Sequence, residues 1–321
     1  MKLGVFAVLL QDKDLDSALK YLKEQGVQAV EIGCGGYPGK SHCDPAVLLS
    51  DAKKFDEFKA TIDKYGMEIS ALSVHGNPVH PQKILADEFN KDFENAVLLA
   101  EKLNVKTVVT FSGCPGDSDG SKYPNWVTCP WPPDFMDILT YQWDEVLVPY
   151  WKTAVAFAKK HNVNQIALEM HPGFCVYNPE SLLKLRNAVG PEIGANFDPS
   201  HLVWQGIDPT VAIKNLKGCI FHFHAKDIRV DKYNAAANGV LDVKHYGDVM
   251  GRSWSFRSVG YGNSTAYWKD LVSTLRTVDY DFVISIEHED ALMSATEGLK
   301  KAIDCLKESI TFEDKGEMWW A

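Results

Sequence analysis

A chain of 321 residues, 45% hydrophobic and 24% charged, has the balance of a globular protein able to bury a large core. Its formal charge of −10, with no Lys/Arg run to offset it, argues against nucleic acid, whose phosphates need a concentrated positive face. No apolar run is long enough to cross a bilayer as a helix, which excludes a membrane span.

The N-terminal residues 2–10 are apolar but lack a small-residue cleavage site, so they read as a first strand and not as a secretion signal. Apolar residues at helical spacing follow over 16–25, and Gly26 stands where a left-handed residue ends a helix. Strand two is expected at 29–32, and Gly66 closes the helix before strand three at 69–75. A helix at 89–103 leads to strand four at 107–111, and one at 146–161 to strand five at 165–169. Strands six, seven and eight are expected at 193–197, 220–224 and 282–287, with a last helix at 292–309.

Strands alternating with helices of this length imply parallel pairing through crossovers. Eight such units predict one α/β domain over residues 1–321, a (β/α)8 TIM barrel with a C-terminal tail from about 310. An open doubly wound sheet would place a glycine-rich loop after its first strand, and residues 9–15 contain no glycine. Two connections, 112–140 after strand four and 225–263 after strand seven, are too long for ordinary turns and fall on the face that carries barrel active sites. The Trp319–Trp320 pair is expected to be buried against a barrel end or a neighbouring subunit, because two exposed indoles are unusual. Seven cysteines with no CxxC pair suit free thiols in a reducing cytoplasm.

The strand ends carry the chemistry. Glu31 ends strand two, His75 strand three, Glu169 and His171 strand five, Asp198 strand six, His222 and His224 strand seven, and Glu287 strand eight. The two-residue period places Glu169 on one face with Ala167 and His171, Asp198 with Asn196, and Glu287 with Val283 and Ser285. If those faces point inward, three carboxylates and the His224 imidazole crowd one volume, and a single divalent cation removes the repulsion. One strand-end acid is ordinarily a cap or an ion-pair partner, but that reading does not cover four such groups on separate strands of one barrel. Three oxygen donors and one nitrogen suit manganese, magnesium or cobalt ahead of zinc. His222 lies one layer deeper than His224 and reads either as a core histidine or as a partner that orients the ligands. Glu31 has the same two readings, a second-layer partner or a hydrogen-bond partner of a neighbouring loop.

The strings ALEMHPG (167–173), NFDPSHL (196–202), FHAKD (223–227) and SIEHED (285–290) resemble the sugar phosphate isomerase/epimerase superfamily. These are the xylose isomerase-like barrels, which include ketose 3-epimerases, inosose dehydratases and endonuclease IV, and the likeness covers nearly the whole chain. The resemblance implies Glu169, Asp198, His224 and Glu287 as ligands of one divalent metal, manganese first among the candidates. It places His201 of the D-x-x-H string at the substrate or a second metal and His75 at the substrate. Lys226 and Asp227 of H-x-K-D would organise the loop and the layer behind the ligands. Endonuclease IV chemistry is not expected, since its metal cluster needs a further histidine after strand four, where Thr110 and Phe111 stand.

The resemblance further implies an isomerase or epimerase that moves a proton through an enediolate, with Glu169 and Glu287 as the catalytic carboxylates. His171 and His201 would orient hydroxyls of a sugar or oxidised sugar. Arg252, Arg257, Trp131 and Trp254, on the two long loops of a chain with only five arginines, are candidates to close the pocket. The alternative is a lyase with the same ligands, which eliminates water or cleaves a C-glycosidic bond in a 3-oxo-sugar. A non-catalytic sugar-binding barrel would be expected to have lost one of the two glutamates, and both are present. The long loops also leave room for a partner subunit or a second copy of the chain.

Overall fold

A computed structural model describes residues 1–321. Its strands are β1 (Lys2–Phe6), β2 (Ala29–Gly33), β3 (Glu68–Ser73), β4 (Thr107–Thr110), β5 (Gln165–Glu169), β6 (Ile193–Phe197), β7 (Ile220–Ala225), β8 (Asp227–Val230), β9 (Trp254–Arg257) and β10 (Val283–Ile286). Eight of them close into a barrel in the order β1-β10-β7-β6-β5-β4-β3-β2, and every neighbouring pair is parallel. The expected (β/α)8 architecture is therefore the observed one, with the long connections after the fourth and seventh barrel strands.

The helices pack outside because their apolar stripes match the barrel surface. The last helix, Ala295–Ser309, starts at the Ser294 cap and buries Leu299, Ala302, Ile303 and Leu306 at three- and four-residue spacing. Helix Ala52–Tyr65 ends at Gly66, whose φ of 59° is the left-handed conformation that glycine adopts at least cost. One apolar cluster of 66 buried residues fills the space between barrel and helices. The barrel interior differs. A small apolar layer of Ala71, Val109 and Ala167 lies within it. Beyond that layer the interior turns polar with Glu31, Ser73, Asn196, His222, His224 and Ser285, all buried.

Three expectations change. The first strand stops at Phe6, and residues Ala7–Leu10 form a 3-10 turn that brings Val8 to the lining of the main cavity. The 225–263 connection is not an irregular loop: β8 and β9 pair as an antiparallel hairpin, with helix Lys232–Asn238 between them. Trp254 and Phe256, on alternate positions of β9, are the buried residues that give the hairpin its apolar face. Trp319 and Trp320 are 88% and 68% exposed, so they do not pack on a barrel end. All seven cysteines are free thiols.

Gly194 shows how tightly the barrel is closed. A Cβ added there would lie 2.5 Å from the Cys219 carbonyl oxygen and 2.4 Å from the Phe221 ring. Gly194→Ala is expected to destabilise the fold by about 1–3 kcal/mol, the usual cost of overpacking. A shift of the urea midpoint at unchanged slope would report it, and an unchanged midpoint would contradict it.

Candidate metal centre

Each candidate ligand is placed by a local rule. Glu169 is the last residue of β5, and its register partner is Asn196 on β6. Asp198 directly follows β6 and caps the short helix Pro199–Val203: its Oδ1 accepts from the Ser200 N–H at 2.8 Å, which leaves Oδ2 for the barrel mouth. One helical turn on, His201 returns to the same side, its Nε2 3.3 Å from Asp198 Oδ2 and 3.2 Å from Glu169 Oε1. The D-x-x-H spacing is the geometry of a cap and the next turn. His224 lies on β7 beside Ser285 of β10, and Glu287 follows β10 immediately.

One ligand atom each from Glu169, Asp198, His224 and Glu287 lies within 4.8 Å of the other three, a separation one ion can span. Asp198 Oδ2, His224 Nδ1 and Glu287 Oε2 are buried with no hydrogen-bond partner, as is His201 Nε2. Buried polar atoms are nearly always satisfied, so several orphaned atoms converging at one point fit a cation between them. The donor chemistry also fits, with oxygen from three carboxylates and nitrogen from one imidazole.

The tautomer of His224 is fixed from behind. Its Nε2 donates to both oxygens of Glu31 at 2.9 Å, so Nδ1 is the nitrogen facing the other ligands. Glu31 also accepts from Ser285 Oγ at 2.7 Å and from Ser73 Oγ, which hold it as a fixed carboxylate. Burial opposes its ionisation, yet His224 and His222 bring its pKa down to about 2. A second chain reaches Glu169. Ser70 Oγ donates to His222 Nε2 at 3.1 Å, His222 Nδ1 to Asn196 Oδ1 at 3.0 Å, and Asn196 Nδ2 to Glu169 Oε2 at 3.1 Å. Burial pushes the His222 pKa down to about 4, which keeps it in the neutral form this relay requires. His75 Nε2 donates to the same Glu169 oxygen at 3.1 Å.

Lys226 sits among the ligands and not behind them. Its Nζ is 3.0 Å from Asp198 Oδ2 and from Glu287 Oε2, and 3.5 Å from Glu289 Oε2, with 3% side-chain exposure. Burial disfavours its charge, but Asp198 and Glu287 outweigh that and hold its pKa well above the lysine range. Asp227 does stabilise the loop: its Oδ2 accepts from the backbone N–H groups of Gly260, Gly262 and Asn263, tying the loop's far end to the exit of β7.

A cavity of about 540 Å³ opens onto this cluster, lined among others by Phe6, His75, Phe111, Glu169, His171, Lys226, Tyr246, Phe256 and Glu287. A larger one, about 710 Å³, lies at the N-terminal ends of the strands and contains none of the clusters able to hold an ion. Of the loop candidates, Trp254 lines a smaller neighbouring cavity. Trp131 is 75% exposed and lines neither cavity at the C-terminal face. Arg252 is buried, its guanidinium 4.3 Å over the Trp254 ring and 4.5 Å over Tyr246, so it stiffens the loop. Arg257 pairs with Asp290, which is the residue that reaches the cavity. The sequence reading missed Asn196, Ser70, Ser73, Ser285, Tyr246 and Phe256. Only Asn196 and Ser285 carried a signal, the shared strand face with Asp198 and Glu287.

The profile of the xylose isomerase-like TIM barrel family matches residues 19–309. The chain belongs to that family. It is 37% identical over 314 residues to the uncharacterized protein YfiH of Bacillus subtilis (strain 168), covering 97% of this chain and 100% of YfiH. An inosose dehydratase of Mesomycoplasma hyopneumoniae (strain J / ATCC 25934 / NCTC 10110) is 23% identical over 336 residues, 97% of each chain. Among solved structures, the IOLI protein with a bound zinc atom superposes with a TM-score of 0.67 at 17% identity, covering 97% of this chain and 100% of that one. Members of this family thus include a dehydratase, and a barrel of this shape binds zinc.

Lys226 supplies the countercharge when the ligands hold no ion. With divalent ions chelated, Lys226→Met is expected to cost about 3–5 kcal/mol, as when one partner of a buried ion pair is removed. Urea unfolding of the chelated proteins measures it, and equal midpoints would rule the countercharge out.

Proposed function

We propose that this chain is a divalent-metal-dependent isomerase or epimerase that removes a proton beside the carbonyl of a sugar or oxidised sugar and returns it through an enediolate. The observation that carries the reading is the pair Glu169 and Glu287, from strands five and eight of the barrel, both lining one cavity and both next to the orphaned ligand atoms. Proton transfer of this kind needs a base, an acid and a positive field over the developing negative charge. Manganese, magnesium, cobalt or zinc held by Glu169, Asp198, His224 and Glu287 would supply that field and fix neighbouring substrate oxygens.

The protein's own groups do the rest. Glu287 is the more open carboxylate, with 15% side-chain exposure against 2% for Glu169, and is the candidate to take the proton. Glu169 accepts from His75 and Asn196 and is held in one position. Burial opposes its charge, yet His201, His224 and His75 keep it ionised. Burial together with the cationic neighbourhood of His171 and Lys226 pushes the His201 pKa down to about 4, so it meets a substrate hydroxyl as a neutral imidazole. Lys226, aimed into the same cavity, offers a donor to a substrate oxygen.

A second reading, a lyase, is favoured by the inosose dehydratase relative, which matches almost from end to end. The first step is shared, since removing a proton beside a carbonyl precedes both reprotonation and loss of a leaving group at the next carbon. Product analysis with free ketoses and with 3-oxo-glycosides separates the two.

Glu287→Gln should lower exchange of the substrate proton with solvent by at least about 10²-fold, the usual contribution of a positioned base. Deuterium incorporation followed by NMR measures this, and full exchange in the variant would sink the assignment. Chelation should lower the melting temperature, because the ion binds only the folded chain. Superimposable melting curves with and without chelator would count against a metal site.

A further inference from the structure

Beyond His171 and Tyr246, which line both, the main cavity is joined by a second of about 350 Å³. Both long loops build it: Trp126 and Thr128 come from the first, Leu241, Tyr246 and Trp254 from the second. His201 lines it too, and its Nε2 stands 3.2 Å from Glu169 Oε1, so an occupant would lie directly beside the reacting ring.

The walls are flat and fixed. Trp204 and Trp254 stack at 4.8 Å with 8° between their planes. Arg252 lies on Trp254 and Tyr246, and its Nε donates to the Trp254 carbonyl at 3.1 Å. The one carboxylate in the lining, Asp242, is already engaged by the Ser253 N–H at 2.6 Å and by Lys244 at 2.9 Å. Two donors are left over. The indole N–H groups of Trp126 and Trp204 are buried without an acceptor, a state that costs about 1–3 kcal/mol for each group. A second sugar ring would bring hydroxyl donors for which these walls have few free acceptors. A flat ring with acceptors on its edge matches both the stacking faces and the unpaired donors.

We propose that this cavity is a subsite for a planar aromatic ring bearing oxygen acceptors, joined to the sugar ring held at Glu169 and Glu287. The substrate class is then an aryl-substituted sugar or its oxidised form. The proposal rests on the function given above for the first ring.

Titration calorimetry on the manganese-loaded protein tests it with 4-methoxyphenyl β-D-glucoside, methyl β-D-glucoside and cellobiose as probes. The aryl glucoside should bind at least about tenfold more tightly than the other two, a difference of about 1.4 kcal/mol. Thr128→Trp, which fills the cavity from an exposed loop position, should erase that preference and leave methyl glucoside binding as it was. Equal affinities, no binding by any probe, or cellobiose binding as tightly as the aryl glucoside would overturn the subsite. Solvent exchange of the proton of methyl 3-oxo-glucoside, followed alongside, keeps the two claims apart. Exchange without an aryl preference removes the subsite and leaves the reaction standing. An aryl preference without exchange supports the subsite and removes the reaction.

Discussion

The structure is organised around the cost of holding Glu169, Asp198 and Glu287 out of water at one end of a barrel. Their ligand atoms lie within 4.8 Å of one another and of His224, and in a low-dielectric site such a cluster exists only if positive charge is supplied. The chain supplies some of it. Lys226 bridges Asp198 and Glu287, and His224, although burial disfavours its cation, has its pKa raised well above the ordinary range by Glu31 and Glu287. An ion bound at Nδ1 would displace that proton, so metal and proton compete for one lone pair.

From this constraint the second layer follows. Glu31 is needed so that His224 presents Nδ1, and Ser73 and Ser285 are needed so that Glu31 stays ionised and still. The relay Ser70, His222, Asn196 fixes Glu169 in the same way. These groups occupy the barrel interior, where aliphatic layers would otherwise pack. Part of the interior packing has been given over to orientation at the mouth.

The sequence made the ligands readable because strand periodicity and barrel polarity are local rules. Four ligating groups at four strand ends need no knowledge of register. The second layer needs it. That Ser70 meets His222 across the barrel depends on the stagger of β3 against β7, which no window of sequence contains. Glu31 and His222 were therefore noticed but left with two readings, and the contacts resolve both toward holding ligands in place. The loops were the least legible. Arg252 and Trp131 looked functional because such residues are rare or costly in a loop, yet one is packed between rings and the other is exposed. Tyr246 and Phe256 carried no signal, since their approach to the barrel mouth depends on the hairpin of β8 and β9 folding back. Lys226 was readable as part of a motif, but its place between Asp198 and Glu287 was not.

Anomalous diffraction from a crystal soaked in manganese is the most direct test of the central claim. The account predicts one strong peak per chain, at coordinating distance from Glu169, Asp198, Glu287 and the Nδ1 atom of His224, with Lys226 Nζ displaced from the carboxylates it bridges. A mouth free of anomalous density, or a peak on the Nε2 side of His224 among Glu31 and His222, would contradict it.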